Sequence, residues 1–538
     1  MKNGRRGNAD LNKTKQTTDR SLLPQFARAM LEPGFYPGRP DVVRFQQTQM
    51  SFVFIAGDLV YKVKKPVNLG YLDYTTLEKR RYFCERETSL NRRLCPDTYL
   101  DVVPIAQKGQ HIALGETGEI IEYAVRMRYL PQDRMLNILL VKDEATPQMV
   151  EALAARVSNF HQGAETNAQI GTFGDIAAIR GNTEENFDQT EKSIGRTISS
   201  SKFERIKRFA REFLATNESL FKERVTEGRI RDCHGDLHAA HVCFADGICI
   251  FDCIEFNDRF RYGDTASEVA FLAMDLDHYG RADLGATFVS SYVNSSRDAQ
   301  LPRLLPFYKC YRAYVRGKVE SFKLEDPYLP EKEKTQARET ATGYFDLASF
   351  YTRSKPTLFI TVGVTGTGKT TFARAISRRL GLAMVSSDVV RKQLAGVPLT
   401  EHRFDGFQAG LYAEDFSQRT YDTMLNQARD KLASRCSVVL DATFIRKSDR
   451  LKAMELAERA SADYFVVEFT ATEETIKKRL AERSLSKSVS DGRIEILEPQ
   501  MQRFETVNEV SERQHVLLDP STPLSHKIES LLAKLAET

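Results

Sequence analysis

The sequence predicts an α+β domain of two lobes followed by an α/β domain on a parallel sheet, and three features predict it. Strand-like runs, SFVFIAGDLVYKV and EYAVRMRYL, surround one helical stretch and give way to mainly helical patterning after Pro131. A helical pattern then ends at Ser354, Lys355 and Pro356, the strongest boundary in the chain. Beyond it the apolar runs TLFITVG, LAMVSSD, SVVLDATF, YFVVEFT and HVLLD alternate with helical stretches. Continuous apolar strands separated by helices mean a parallel sheet covered on both faces.

These features divide the 538 residues into a polar N-terminal arm (1–40), a two-lobed domain (41–348, with a small lobe to about 130 and a large lobe from about 131), a linker (349–356) and the α/β domain (357–538). A chain of this length exceeds one hydrophobic core. No apolar run reaches membrane-spanning length, so no membrane partner is expected. A net charge of +4 gives no single-signed field for nucleic acid. The eight cysteines are scattered, with no C-x-x-C pair, and read as reduced and buried. The basic N-terminus lacks an apolar segment of the secretory kind. Both observations predict a cytoplasmic protein.

The α/β domain opens with GVTGTGKT between a strand and a helix, the setting in which G-x-x-x-x-G-K-[ST] binds phosphate. Gly363, Gly366 and Gly368 let main-chain amides of Thr365, Thr367 and Thr371 and their neighbours curl around phosphate oxygens. In that arrangement Lys369 reaches the terminal phosphates of ATP and Thr370 binds Mg²⁺. Asp441 ends the run VVL and suits a Walker-B-like role on the same Mg²⁺. Asp388 follows LAMVSS with Arg391 one turn later on the same helix face. That pair suits a base for an acceptor hydroxyl and a cation for the transferring group, although Asp388 also suits a plain helix N-cap. In KKRLAERSLSKSVSDGR, Arg479 and Arg483 run into a Ser-rich loop, a natural lid that brings cations over the leaving charge. An ordinary solvated helix face has the same composition.

Together GVTGTGKT, SSDVVRKQL, VVLDATF and the arginine-rich late helix resemble the P-loop kinases of the polynucleotide kinase and zeta-toxin type, over residues 357–538. The resemblance implies that Asp388 activates the attacking hydroxyl, with Arg391 beside it. It does not name the acceptor. A hydroxyl-bearing small molecule is the expected one, with a nucleic acid end less favoured, and the sequence is silent on oligomeric state.

Upstream, CHGDLHAAHVCF followed by GICIFDCIEF resembles the aminoglycoside phosphotransferase family and the wider protein-kinase-like fold. The resemblance implies a kinase-like ATP site with Asp236 as base and Asp252 as Mg²⁺ ligand. Such a site needs a strand lysine and a helix glutamate. Lys62 and Lys64 share a strand face, so periodicity leaves both open, and the family pattern favours Lys62. Glu87 shares a helix face with Phe83, Leu90 and Leu94, whereas Glu85 points away. Two departures stand out. QTQMSFVF replaces a Gly-rich loop, with Ser51 as its candidate hydroxyl, and His241 takes the position of a metal-binding Asn.

The expected activity is therefore that of an ATP-dependent kinase in which both domains use Mg²⁺ and ATP. Other readings of the same residues are a first domain that regulates the second without turnover, a P-loop ATPase, and a zinc-dependent hydrolase at His234, His238 and His241. His161, within an apolar helix, reads as a core histidine.

Overall fold

The computed structural model describes residues 22–326, 329–398, 413–483 and 494–537. They form two compact units. One comprises the described residues up to Gln132 together with Ala245–Asp258; the other comprises Asp133–Phe244 and the described residues from Arg259 onward.

The first unit is an antiparallel sheet of β1 (Val43–Gln47), β2 (Ser51–Ala56), β3 (Leu59–Lys64), β4 (Tyr99–Lys108), β5 (His111–Leu114) and β6 (Glu119–Arg128), in the order β1-β2-β3-β6-β4-β5. The alternation in SFVFIAGDLVYKVK sends Phe52, Phe54, Tyr61 and Val63 into one core, where Leu23, Ala27, Met30 and Tyr36 cover them. Residues 22–40, expected as part of a polar arm, are therefore built into the unit: Ala27 and Met30 are buried, and the Tyr36 hydroxyl donates to Met30 O at 2.6 Å. The sheet needs a cover on that side, and LLPQFARAMLEPGFY supplies the apolar groups. The helix Leu77–Arg92 is capped by Thr76, whose side chain accepts from Lys79 N, and its Arg80 pairs with buried Glu122 at 2.8 Å.

Four short strands follow in the chain, β7 (Ile230–Asp232), β8 (Val242–Ala245), β9 (Gly247–Ile250) and β10 (Tyr262–Asp264). The segment Ala245–Asp258, expected in the large lobe, belongs to the first unit. There Cys249 of β9 forms a disulfide with Cys95, just beyond the helix Leu77–Arg92. The other six cysteines are free thiols, so the expectation that all eight are reduced fails for this pair. Burial in apolar sequence looks the same for a thiol and a half-cystine, and 154 residues of separation carry no pairing signal.

In the second unit β7 and β10 pair antiparallel, and β10 leads directly into the helix Thr265–His278. That helix is buried from Thr265 to Asp277 and is packed by the helices Ala282–Ser296 and Leu301–Phe322. The α/β part holds β11 (Thr357–Val362), β12 (Ala383–Ser386), β13 (Val438–Asp441), β14 (Asp463–Phe469) and β15 (His515–Leu518), all parallel, in the order β12-β13-β11-β14-β15. Leu358, Ile360 and Val362 face one core and Phe359 the other, so β11 is buried on both faces, as its unbroken apolar run requires.

The boundary at 349–356 is not a free linker. The helix Glu331–Tyr351 runs through its first residues, Ser349 is buried, and the Tyr351 hydroxyl donates to Asp277 at 2.5 Å. Buried Asp346 pairs with Lys202 and, at 2.5 Å, with Arg379 of the helix that follows the P-loop. Charged residues in a helical pattern read as surface; here they join the large lobe and the α/β part into one unit.

Candidate active sites

The segment from Gly363 to Gly368 turns at the end of the central strand β11 and delivers its chain into the helix Lys369–Leu380. Two of its glycines have a steric reason. Gly368 caps that helix at φ 97°, and a Cβ on Gly363 would lie 2.6 Å from Phe469 O. Lys369 Nζ donates to Val364 O at 2.8 Å, and Thr370 Oγ1 donates to Asp441 Oδ1 at 3.1 Å. The hydroxyl and carboxylate expected to share a metal are thus in contact, and both offer the hard oxygens that Mg²⁺ prefers. Burial pushes the Asp441 carboxyl above its usual range; Lys369 pulls it down and the charge of Asp388 pushes it further up.

Ser386 pairs with Asp441 across β12 and β13, which brings Asp388 to the same edge of the sheet. Arg391 Nη1 lies 3.6 Å from Asp388 Oδ1. The N-cap of that helix is Ser386, not Asp388, whose carboxylate sits in the first turn. Arg479 lies over the loop, with Nη1 3.5 Å from Thr367 O. The side chain of Arg483 and the Ser-rich loop after it lie outside the described residues. Thr371 is exposed on the helix. Sequence reasoning missed Gln500, whose Oε1 accepts the Thr365 N–H at 2.8 Å; no local motif marks a glutamine that acts 135 residues away.

In the first unit both candidate lysines reach Glu87, which is fully buried. Lys62 Nζ donates to Oε1 at 2.8 Å and Lys64 Nζ to Oε2 at 2.7 Å. Their second partners separate them. Lys62 also meets Asp252, at 2.7 Å, whereas Lys64, 1% exposed, also pairs with Glu255 beside Tyr74. Burial alone would lower the pKa of Lys62, but Asp252 and then Glu87 outweigh it and the net shift is upward. Glu87 is held low by the two lysines against the opposing effect of burial. Asp252 adopts φ 61°, a conformation rare for a residue with a side chain and frequent at functional sites. Ser51 is buried at the start of β2, and the hydroxyl that organises the preceding turn is Thr48, whose Oγ1 accepts Ser51 N–H at 3.0 Å.

In the second unit the loop from His234 to His241 hangs from two carboxylates of the helix Thr265–His278. Glu268 Oε1 accepts His234 N–H at 2.9 Å and Gly235 N–H at 2.6 Å; Asp275 Oδ2 accepts Ala239 N–H at 2.8 Å. Glu268 is also paired with His161 at 2.7 Å, and its pKa is lowered to about 2: burial opposes ionisation, and His161 and His234 overcome it. His161 is a core residue, as expected, and it is also the brace of this carboxylate. Glu268 went unnoticed in sequence; its signal is an acid inside the otherwise apolar run ASEVAFLAM. Asp236 is held well below the usual carboxylate range, because His238, His241 and Arg316 together outweigh its burial. His234 is buried and its Nδ1 accepts Asp236 N–H at 3.3 Å, so it does not join His238 and His241 as the hydrolase reading requires. The triad that does assemble is Asp236, His238 and His241. With two imidazoles it is not a magnesium donor set.

Comparison with known proteins agrees with both halves. A model of the phosphotransferase enzyme family matches residues 102–307, and one of an AAA domain matches residues 358–507. The uncharacterized protein Rv2004c of Mycobacterium tuberculosis (strain ATCC 25618 / H37Rv) is 32% identical over 443 residues, 82% of this chain and 86% of that protein. The chain belongs to the Rv2004c family. In this family member an aminoglycoside-phosphotransferase-like, kinase-like domain precedes a P-loop kinase domain, and the protein is a nucleotide-binding phosphotransferase. Mb2027c of Mycobacterium bovis (strain ATCC BAA-935 / AF2122/97) matches this chain to the same extent. Similar solved structures include amicoumacin kinase hAmiN in complex with AMP-PNP, Ca²⁺ and Ami (14% identity, 59% of this chain and 91% of that chain, TM-score 0.36) and a gluconokinase from Sinorhizobium meliloti 1021 (24%, 34% and 94%, TM-score 0.25). No described helix is long and apolar enough to cross a membrane.

Proposed function

We propose that the P-loop domain transfers the γ-phosphoryl group of ATP, bound with Mg²⁺, to a hydroxyl of a small-molecule acceptor. One observation carries the reading: Thr370 and Asp441 in contact beside Lys369, with the Asp388–Arg391 pair on the adjacent strand end. When bound, Mg²⁺ neutralises phosphate charge at Thr370 and Asp441. Amides of Gly366 to Thr371 hold the phosphates, and Lys369 exchanges its bond to Val364 O for a phosphate oxygen. Asp388 accepts the acceptor's proton, while Arg391 and Arg479, with Arg483 following on the same helix, meet the charge that moves to the leaving group.

The first domain, on the same proposal, has its own ATP site, with Lys62 set by Glu87, Asp252 on the metal and Asp236 as base. Tight suspension of the Asp236 loop by Glu268 and Asp275 favours a working base over an inert nucleotide-binding fold. The full-length protein incubated with γ-labelled ATP, Mg²⁺ and panels of sugars, nucleosides and RNA ends tests both halves. Labelled acceptor that disappears in Lys369→Ala supports the P-loop assignment, and a second labelled acceptor lost only in Asp236→Ala supports the other. Label released solely as inorganic phosphate would replace the kinase reading with an ATPase.

A further inference from the structure

The loop that presents Asp236 also places two imidazoles on one of its oxygens. His238 Nε2 lies 3.6 Å and His241 Nδ1 lies 3.5 Å from Asp236 Oδ2. All three ligand atoms lie within 4.8 Å of one another, and the two rings are tilted by 38° with centroids 4.0 Å apart. Around a tetrahedral ion with ligand bonds of about 2.1 Å, neighbouring ligand atoms are about 3.4 Å apart, close to the two separations between the imidazoles and Asp236. Two imidazoles and a carboxylate suit Zn²⁺ and similar borderline ions; Mg²⁺ asks for an octahedron of oxygens.

The site is built rather than incidental. Its main chain is fixed by Glu268 and Asp275 at the amides of His234, Gly235 and Ala239. The rings are largely covered, with side-chain exposures of 9% for His238 and 16% for His241, while Asp236 is 33% exposed and leaves an approach for an ion and a water ligand. Internal bonds must be given up in exchange, among them one on each ring. His238 Nδ1 accepts Ala240 N–H at 3.3 Å, which leaves the ring hydrogen on Nε2, and His241 Nδ1 is bonded to Asp236 O at 3.0 Å. When the ion takes His238 Nε2 and His241 Nδ1, each ring hydrogen moves to the other ring nitrogen, so charge and atoms balance.

We propose that Asp236, His238 and His241 form a binding site for a borderline divalent cation of the Zn²⁺ class, and that its occupation withdraws the Asp236 carboxylate from proton transfer. The metal is then a reversible inhibitor of the first domain and leaves the P-loop domain working. The inhibitory half of the proposal rests on Asp236 being the base; the binding half does not.

Metal-stripped full-length protein is dialysed against Zn²⁺, and bound metal is measured alongside His238→Gln and His241→Asn, each checked for a cooperative melt. One zinc per chain more in the wild type than in either variant is expected. In a Lys369→Ala background, Zn²⁺ should inhibit first-domain transfer, a chelator should restore it, and His241→Asn should need at least tenfold more Zn²⁺. Equal zinc uptake by wild type and both folded variants overturns the site, whatever the transferase activity. The zinc difference without any inhibition of measurable transfer overturns the inhibitory role and, with it, Asp236 as base.

Discussion

The two candidate phosphate-binding regions of this chain are assembled in opposite ways. The P-loop is one continuous stretch whose ligands are mostly main-chain amides, and its geometry follows from a strand, a few glycines and a helix start. The Asp236 loop and the Lys62 site are side-chain constructions, drawn from β3, the helix Leu77–Arg92, the loop after β9 and the helix Thr265–His278. Backbone sites tolerate changes around them but not at their lysine or metal ligands; side-chain sites depend on buried charges that are also structural.

The largest contrast should come from the chemistry. Asp388→Asn is expected to lower kcat of the P-loop domain by roughly 10²–10⁴-fold, the usual worth of a positioned base, with nucleotide affinity nearly unchanged. Steady-state kinetics with titrated ATP checks this, and a loss confined to KM would reassign Asp388 to binding. Next comes Lys64→Met. It leaves Glu87 and Glu255 buried without their shared cation, and breaking a buried pair costs about 3–5 kcal/mol. Lys62→Met should be clearly less destabilising, since Lys62 is 18% exposed and Lys64 still holds Glu87, yet it should weaken nucleotide binding more. Denaturant melts and ATP titrations of the pair would dissolve the distinction if they ranked the other way.

Reducing the Cys95–Cys249 bond, or replacing both residues with serine, should cost about 2–4 kcal/mol and lower the melting temperature of the first unit. Differential scanning calorimetry with and without reductant measures it. The smallest effect has the opposite sign. Asp441 has a folded-state pKa raised above its ordinary value of 3.8, so its stabilising contribution is complete below that value and is lost as pH rises through the folded one. Asp441→Asn should therefore raise the melting temperature of the nucleotide-free protein at neutral pH while abolishing metal-dependent transfer. An unchanged or lower melting temperature would mean that the Thr370 contact outweighs burial.

The same contrast explains what could be read from residues alone. GVTGTGKT, Asp441 and Asp388 were legible because each stands at the end of an apolar strand, where periodicity places it. HGD, Asp252 and Glu87 were legible by resemblance and by helix face. Periodicity leaves Lys62 and Lys64 level because a period of two cannot distinguish residues two apart; the resemblance favours Lys62, and their second partners, Asp252 and Glu255, set the two apart in the structure. Glu268, Gln500 and the Cys95–Cys249 pair act through contacts distant in sequence, for which no local pattern exists. The packing of residues 23–36 and the helix Glu331–Tyr351 was hidden by polar neighbours that read as arm and linker.

Counting bound nucleotide tests the central claim most directly. Equilibrium dialysis of the full-length protein against ATP with Mg²⁺ should give two sites per chain, falling to one in Lys369→Ala and to the other one in Lys62→Ala. A single site that survives Lys62→Ala and vanishes with Lys369→Ala would contradict the account of two nucleotide-using halves.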